Sequence, residues 1–91
     1  MIKLSIIIVN YNVKYFLEQA VLSAIKACAN IPAEIIIVDN NSSDGSVSFI
    51  QQKFIDLQNS HIPVHLIANR ENTGFSKANN QGIAIAKGEY I

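Results

Sequence analysis

Short runs rich in isoleucine and valine alternate along this chain with longer segments in which apolar residues recur every three or four positions. A short β-branched run is typical of a strand buried on both faces, whereas the longer spacing is typical of a helix with one apolar face. We predict strands at residues 3–9, 34–39 and 63–68, helices at 14–29, 46–59 and 75–86, and the start of a fourth strand at 89–91. This order predicts an α/β fold built on a parallel sheet with right-handed crossovers.

The size and charge of the chain limit the class of protein. Its 91 residues allow a single domain. Hydrophobic residues make up 49% and charged residues 15%, which excludes a disordered chain. Seven basic residues balance seven acidic ones, so the chain lacks the positive charge of a duplex nucleic-acid binder. Because residues 89–91 resemble a strand start, we interpret residues 1–91 as one partial domain, the N-terminal part of a longer protein.

The apolar spacing also predicts the core. Cys28 is the single cysteine, which excludes a disulfide framework. It lies on the apolar face of the first predicted helix, so we predict that its thiol is buried. The longest apolar runs fall far short of the roughly 20 residues of a membrane-spanning helix. The helix residues predicted to face inward are Leu17, Val21, Ala24 and Cys28, then Val47, Ile50, Phe54 and Leu57, and finally Phe75, Ala78, Gly82 and Ala86.

Three polar segments, 10–12, 39–45 and 69–74, follow the predicted strands. Ligands of open parallel sheets bind beyond the carboxyl ends of the strands, where these segments meet. The Asp39 carboxylate can accept hydrogen bonds from a base or a ribose, and the Tyr11 ring offers a flat stacking face. For Ser42, Ser43 and Asp44 we favour helix capping. For Asp39 we favour ligand binding, because it ends a buried strand.

Several named motifs are absent or incomplete. No G-x-G-x-x-G follows the first strand, and the chain has no Walker A sequence. Residues 39–50 differ from a calcium-binding loop at its sixth and twelfth positions, which are Asp44 and Ile50. His61 and His65 are four residues apart without an accompanying carboxylate or cysteine in the sequence, so we interpret them as surface or edge histidines.

Four segments of the chain together carry a family resemblance. They are LSIIIVNYN at 4–12, IVDNNSSDGS at 37–46, NTGF at 72–75 with ANNQG at 78–82, and GEYI at 88–91. Their order and spacing resemble the N-terminal half of a family 2 glycosyltransferase with the GT-A fold, over essentially the whole chain. The resemblance implies a Rossmann-like parallel sheet with helices on both faces and the strand order 3-2-1-4.

The resemblance also implies a site for a nucleotide-diphosphate sugar. Residues 9–12 would line the base pocket, with Tyr11 packing on the base, and Asp39 would contact the base or ribose. The loop at 72–74 and the helix after it would approach the ribose and diphosphate. The implied substrate-binding residues are Val9, Asn10, Tyr11, Asn12, Asp39, Asn41, Asn72, Gly74, Lys77 and Asn80.

Two positions differ from many members of that family. Asn40 stands where many have a second aspartate, and Asn79 stands where many have an arginine. Both asparagines resemble a rhamnosyltransferase-like branch instead, which leaves UDP and dTDP open as the donor nucleotide.

The family's catalytic groups are expected after Ile91. In such enzymes an aspartate motif after the fourth strand holds Mg²⁺ or Mn²⁺ on the donor diphosphate, and a later carboxylate is the base of an inverting displacement onto a saccharide or lipid-linked acceptor. We therefore assign no catalytic or metal-binding residue in this chain and expect no bound metal. We expect the chain alone to be inactive and to self-associate. The implied location is the cytoplasm, with peripheral association at the inner membrane face as an alternative.

Two other classes of protein share the predicted fold. A phospho-acceptor receiver domain needs an acidic pair after its first strand, where this chain has Asn10, Tyr11 and Asn12. A non-catalytic α/β nucleotide-binding or interaction module fits the neutral charge and the sheet, but an interaction role leaves the three polar loops at one edge unexplained.

Overall fold

A computed structural model describes residues 1–56 and 62–91 of the chain. The strands and helices alternate in the predicted order, which confirms the α/β class. They are β1 (Leu4–Asn10), α1 (Lys14–Ala27), β2 (Ala33–Asp39), α2 (Ser46–Ile50), β3 (Val64–Ala68) and α3 (Phe75–Ile85). A π-helical segment, Gln51–Asp56, follows α2 directly.

The three strands form a parallel sheet in the order β1-β2-β3. β2 is the central strand, and all seven of its residues are buried. Asn10 pairs with Asp39, and Asp39 pairs with Ala68, so the three strands end at the same level. This register places the loops that follow the strands next to one another along one edge.

A fourth strand position lies on the open side of β1. Tyr90 forms a parallel bridge with Leu4. The Tyr90 N–H donates to the Lys3 carbonyl at 2.8 Å, and the Ser5 N–H donates to the Tyr90 carbonyl at 2.8 Å. The predicted order 3-2-1-4 is thereby confirmed, with the fourth strand represented by this bridge.

Helices cover both faces of the sheet. On one face, Ile35 and Ile37 of β2 pack in a cluster with Leu17 and Val21 of α1 and Ile50 of α2. On the other face, Ile36 and Val38 of β2 pack with Ala78 of α3. Because each face is covered, β2 is apolar at successive positions rather than at alternate ones.

The predicted core residues are mostly found inside. Leu17, Val21, Cys28, Ile50, Ala78 and Gly82 are buried, and Ala24, Phe54 and Ala86 are partly buried against the two clusters. Phe75 was expected to face inward and is 70% exposed, because α3 meets the sheet only from Ala78 onward. Leu57 lies outside the described residues.

Gly82 brings α3 close to the sheet. A Cβ atom built on Gly82 would lie 2.6 Å from Cγ2 of Ile7, a separation that side chains do not tolerate. The missing side chain therefore lets the helix axis approach β1 more closely than any other residue would allow.

Some element boundaries and one histidine differ from expectation. α1 ends at Ala27 rather than at 29, and the regular turns of α2 end at Ile50. His65 has a carboxylate partner, because its Nε2 lies 3.3 Å from Oε1 of Glu34 on the neighbouring strand. His61 and the last residues of the predicted second helix lie outside the described residues. Within residues 1–56 and 62–91, no helix has the length and hydropathy needed to cross a bilayer.

Candidate functional site

The carboxyl edge of the sheet is built around Asp39. Its side chain is 1% exposed. Oδ1 accepts from Asn10 Nδ2 at 2.7 Å and from Ser42 Oγ at 2.7 Å, and Oδ2 accepts from the Ser42 N–H at 2.8 Å. A carboxylate offers about four acceptor positions, so three inward donors leave room for one more. Asp39 thus organises the edge and retains a single acceptor position.

Asn10 shares the buried position beside Asp39. It is also 1% exposed, and its Nδ2 lies within 3.2 Å of Ser42 Oγ in addition to Asp39. Among residues 1–56 and 62–91, Asn10 Oδ1 is the buried side-chain atom that lacks a hydrogen-bond partner. A buried acceptor without a partner costs about 1–3 kcal/mol, so a ligand N–H that reached it would recover that energy.

Asn12 also joins the first loop to the second, through two hydrogen bonds. The Asn12 N–H donates to Ser42 Oγ at 2.9 Å, and the Ser43 N–H donates to Asn12 Oδ1 at 2.7 Å. Asn12 adopts a left-handed backbone with φ of 54°, a conformation that asparagine tolerates well. Tyr11 lies between the two anchored asparagines and is 50% exposed. Its ring is therefore held at the edge and open to a stacking partner.

The second and third loops are joined through Asn40, which is 2% exposed. Its Nδ2 donates to the Gly74 carbonyl at 3.2 Å, and its Oδ1 accepts from Asn69 Nδ2 at 2.9 Å and from Thr73 Oγ1 at 3.2 Å. Gly74 has φ of 86° and ψ of 162°, a combination that favours glycine. The amide group of Asn40 therefore fixes where the third loop lies.

Asp44 stabilises the beginnings of two helices. Its Oδ1 accepts from the Ser46 N–H at 3.0 Å and from the Ser46 hydroxyl, and its Oδ2 accepts from the Lys14 N–H at 3.0 Å. These hydrogen bonds, that of the Ser46 hydroxyl above all, hold the pKa of Asp44 below its usual value despite some desolvation. The capping role favoured for Asp44 fits this geometry, whereas Ser42 instead supports Asp39 and Asn12.

The remaining expected site residues fall into two groups. Val9 is partly buried and packs in the core beside Ile36 and Val38, below the edge. Four polar residues are exposed at this edge or on the first two turns of α3, namely Asn41, Asn72, Lys77 and Asn80. The structure therefore unites Asn10, Asn12 and Asp39 in one network and leaves the other polar residues free to meet a ligand.

Sequence reasoning missed the connecting residues of this site. Ser42 and Asn40 carry most of the hydrogen bonds between loops. From the sequence, Ser42 was expected to cap a helix, and Asn40 was noted only as a difference from many members of the family. The hydrogen bond from the Ser42 N–H to Asp39 could have been predicted, because aspartate side chains in turns commonly accept from a backbone N–H a few residues later. The Asn40 bonds span 29 to 34 residues and need the strand register to be known.

The carboxylates at this edge do not fit a divalent metal site. Asp39 is engaged by Asn10 and Ser42, and Asp44 by Ser46 and Lys14. In the part of the chain that the structure describes, no three side chains of His, Cys, Asp or Glu are grouped as metal ligands. The edge is suited to hydrogen bonding and stacking.

Comparison with known proteins assigns the family. The sequence profile of Glycosyl transferase family 2 matches residues 5–91. The chain is 30% identical over 89 residues to an uncharacterized glycosyltransferase of Bacillus subtilis (strain 168), YfnE, covering 98% of this chain and 21% of that protein. It is 32% identical over 88 residues to a B. subtilis (strain 168) glycosyltransferase provisionally assigned to teichuronic acid biosynthesis, TuaG, covering 96% and 32%.

A third relative comes from another bacterium. The uncharacterized glycosyltransferase alr2836 of Nostoc sp. (strain PCC 7120 / SAG 25.82 / UTEX 2576) is 35% identical over 89 residues, which are 98% of this chain and 26% of that protein. The chain thus spans about a fifth to a third of the length of these relatives. Its three parallel strands and helices are consistent with the N-terminal part of a GT-A fold. This chain belongs to glycosyl transferase family 2.

Proposed function

We propose that this chain is the donor-binding part of a longer glycosyltransferase, which transfers a sugar from a nucleoside diphosphate to a saccharide or lipid-linked acceptor. The observation that carries the proposal is the buried pair of Asn10 and Asp39 beside the exposed ring of Tyr11. Family membership supports the reaction class. The inverting outcome and the rhamnosyltransferase-like branch are parts of this proposal that rest on the resemblance alone.

The free groups at the edge suit a pyrimidine base. The Tyr11 ring can stack on the face of the base, and a movement of the edge that uncovered Asn10 Oδ1 and Asp39, both 1% exposed here, would let these acceptors receive an N–H of the base. Uracil and thymine present the same imide N–H, so these acceptors serve UDP and dTDP equally. The phosphates would lie toward α3, where Lys77 supplies a positive charge and Asn80 a further amide.

The residues of this chain bind and orient the donor. Mg²⁺ or Mn²⁺, when held by other parts of the complete enzyme, would stabilise charge on the leaving diphosphate. Because the carboxylates described here do not form a metal site, no step of the transfer is assigned to them. We propose that the chain alone is inactive and that the complete protein works in the cytoplasm, at the inner membrane face when its acceptor is lipid-linked.

Calorimetry with UDP and dTDP tests the proposal on the complete protein. Asp39→Asn places an N–H₂ group among donors and removes a charge. We therefore expect the binding free energy to weaken by about 1.5–3 kcal/mol, which raises the Kd roughly 10- to 150-fold. Glu89→Gln, which removes an exposed carboxylate near the other end of β1, is the matched control and should bind normally. Unchanged affinity in Asp39→Asn would overturn the assignment.

A second variant keeps the test valid if Asp39→Asn loosens the loops. Tyr11→Ala removes a half-exposed ring and leaves the Asn10–Asp39 hydrogen bond in place. Stacking of a base on an aromatic ring contributes about 1–3 kcal/mol, so affinity should fall while the melting temperature stays the same. Tyr11→Phe, which retains the ring, should bind as the wild type does.

A further inference from the structure

The strand β3 has a partner on one side only within the described sheet. β2 lies beside it, and the fourth strand position is beside β1 at the other edge. The Ile35 N–H donates to the Pro63 carbonyl at 2.9 Å, and the Asn69 N–H donates to the Asp39 carbonyl at 2.8 Å. The backbone groups of residues 63 and 69 therefore point toward β2.

Strand alternation identifies the backbone groups on the outer side of β3. Because residues 63 and 69 point toward β2, residues 65 and 67 do so as well, whereas Val64, Leu66 and Ala68 point away from it. β2 and β3 are paired residue by residue without a bulge along the whole of β3. Within residues 1–56 and 62–91, no strand pairs with the outward N–H and carbonyl groups. Such a row of open groups is a template for a further strand.

The sequence of β3 lacks the features that usually keep an edge strand unpaired. Residues 64–68 read VHLIA and contain no lysine, no carboxylate and no proline. The titratable side chain of the strand, His65, is paired with Glu34 on β2, because its Nε2 lies 3.3 Å from Oε1 of that residue. A second strand could therefore approach this edge without meeting an unpaired charge of β3.

The helices on the two faces of the sheet leave room beside this edge. A cleft of about 510 Å³ runs along β3, lined by Val47 and Gln51 from the second helical segment and by Ile85 of α3. Ile85 is 45% exposed. α2 and α3 lie on opposite faces, so they flank the edge without covering it. An incoming strand would meet backbone partners at the centre and apolar side chains on both faces.

We propose that β3 is an interface at which a second copy of this protein adds its own β3 strand, antiparallel to the first. Two-fold pairing centred on Leu66 sets Leu66 opposite its counterpart and Val64 opposite Ala68. These residues carry the outward backbone groups, and such opposed residues exchange both of their hydrogen bonds. Every open N–H and carbonyl group of the strand thereby gains a partner. The inference does not depend on the proposed function.

Self-complementarity favours a second copy over an unrelated strand. The opposed pairs Val64 with Ala68 and Leu66 with Leu66 are uncharged, and His65 stands opposite Ile67, so no like charges meet. Basic and acidic residues are equal in number, so two copies do not repel each other through net charge. A two-fold interface closes on itself, which limits assembly at this edge to a dimer.

The antiparallel arrangement keeps both candidate functional sites accessible. The strands of the two copies run in opposite directions across the interface, so the carboxyl edges of the two sheets lie at opposite ends of the joined sheet. The loops that carry the candidate site follow the carboxyl ends of the strands. Pairing through β3 therefore does not bring the two sites into contact.

Amide hydrogen exchange at single-residue resolution, measured on the complete protein, tests the interface. Exchange at Val64, Leu66 and Ala68 should slow roughly 10-fold once most of the protein is dimeric, because these N–H groups gain acceptors in the second copy. His65 and Ile67 are internal controls, since their N–H groups are bonded to β2 in the monomer and in the dimer. Sedimentation velocity on the same samples measures the dimer fraction.

Two variants of Ala68 distinguish this interface from any other. Ala68→Pro removes an outward N–H and keeps the hydrogen bonds to β2, a position at which edge strands tolerate proline. The Kd of the dimer should rise roughly 10- to 100-fold, as expected for two hydrogen bonds lost per dimer. Ala68→Lys places a charge opposite Val64 of the second copy and should also weaken the dimer. Ala20→Lys, exposed on α1, is the matched control and should dimerise as the wild type does.

The wild-type exchange pattern is decisive even if a variant of Ala68 unfolds. A dimer without slowed exchange at Val64, Leu66 and Ala68 would place the interface elsewhere and overturn the inference. So would folded Ala68 variants that dimerise as strongly as the wild type. A wild type that stays monomeric at high concentration would also overturn it, including a monomer in which another segment of the complete protein protects these amides at every concentration.

Discussion

At the scale of single residues, the side-chain amide of Asn40 determines the structural role of this position at the carboxyl edge of the sheet. Its Nδ2 donates to Gly74 and its Oδ1 accepts from Asn69 and Thr73. An aspartate, which many family members are expected to carry there, has no N–H for the Gly74 carbonyl. The position is therefore a bridge between loops in this chain.

Replacement of Asn40 by aspartate should destabilise the protein. Asn40→Asp removes the donor to Gly74 and buries a second carboxylate next to Asp39, so we expect the free energy of unfolding to fall by about 1–3 kcal/mol. Urea unfolding at pH 7 measures it. Asn41→Asp is the matched control, because Asn41 is exposed and aspartate also tolerates its φ of 67°. Equal effects of the two variants would contradict the bridging role.

Some residues of the candidate site could be predicted from the sequence and others could not, for a physical reason. Asp39 was identifiable because it ends an apolar run, and Tyr11 because it follows one. Glu34 and His65 were not linked, since their contact joins neighbouring strands and depends on the register of β2 against β3. Local patterns reveal where a strand ends, but cross-strand partners require the sheet itself.

At the scale of the elements, strand positions were predicted to within one residue and helix ends less well. Isoleucine and valine runs fix β1, β2 and β3 closely because strand burial follows directly from apolarity. The change from α2 to the π-helical segment has no such signal in the sequence. The stub of the fourth strand was expected from sequence and is confirmed by the Tyr90 bridge.

The contact between α3 and β1 predicts the effect of one added methyl group. Gly82→Ala would place Cβ 2.6 Å from Ile7 Cγ2, so α3 or the Ile7 side chain must move. Overpacking of this kind costs about 1–3 kcal/mol, which thermal unfolding would detect. Ala84→Ser, on the exposed side of the same helix, should leave the melting temperature unchanged. If Gly82→Ala raised the melting temperature, the space between α3 and β1 would accommodate the added methyl group and the prediction would be wrong.

Stability should depend on pH through the strand residue Glu34. Burial raises its pKa, but hydrogen bonds from the Lys87 N–H and the Ser5 hydroxyl outweigh that effect and lower the pKa in the folded state from the ordinary 4.5. The ionised carboxylate therefore stabilises the fold above that pH. As the pH falls through the lowered folded value, the contribution disappears. We expect the wild type to be more stable than Glu34→Gln at pH 7 and the difference to vanish in strong acid, as measured by urea unfolding across the pH range. A difference independent of pH would contradict the lowered pKa.

At the scale of the whole molecule, the open side of β1 is only partly covered by the described residues. Lys3 and Ser5 pair with Tyr90 there. Farther along, strand alternation points the backbone groups of Ile7 and Val9 toward the same side, where the described residues provide no further strand. The unpaired edge of β1 is therefore limited to its second half, residues 7–9. Unpaired strand edges of this kind favour pairing with another chain.

We expect the isolated chain to self-associate through this side. Sedimentation velocity should show a weight-average mass that rises with concentration. Ile83, 40% exposed on α3, lines a cleft of about 400 Å³ beside β1, so Ile83→Lys should weaken the association. Ile31→Lys is the matched control, because Ile31 is 38% exposed but precedes β2 at the other end of the strands. A monomer at high concentration would contradict the prediction.

The hydrogen bonds between the three loops have a thermodynamic consequence for recognition. Asn12 and Ser42 join the first loop to the second, and Asn40 joins the second to the third. The loops are therefore ordered when the chain folds, and a nucleotide that docks on them meets a surface already in place. Loss of one of these bonds should make the entropy of binding less favourable, the signature of a surface that must be reassembled around its ligand.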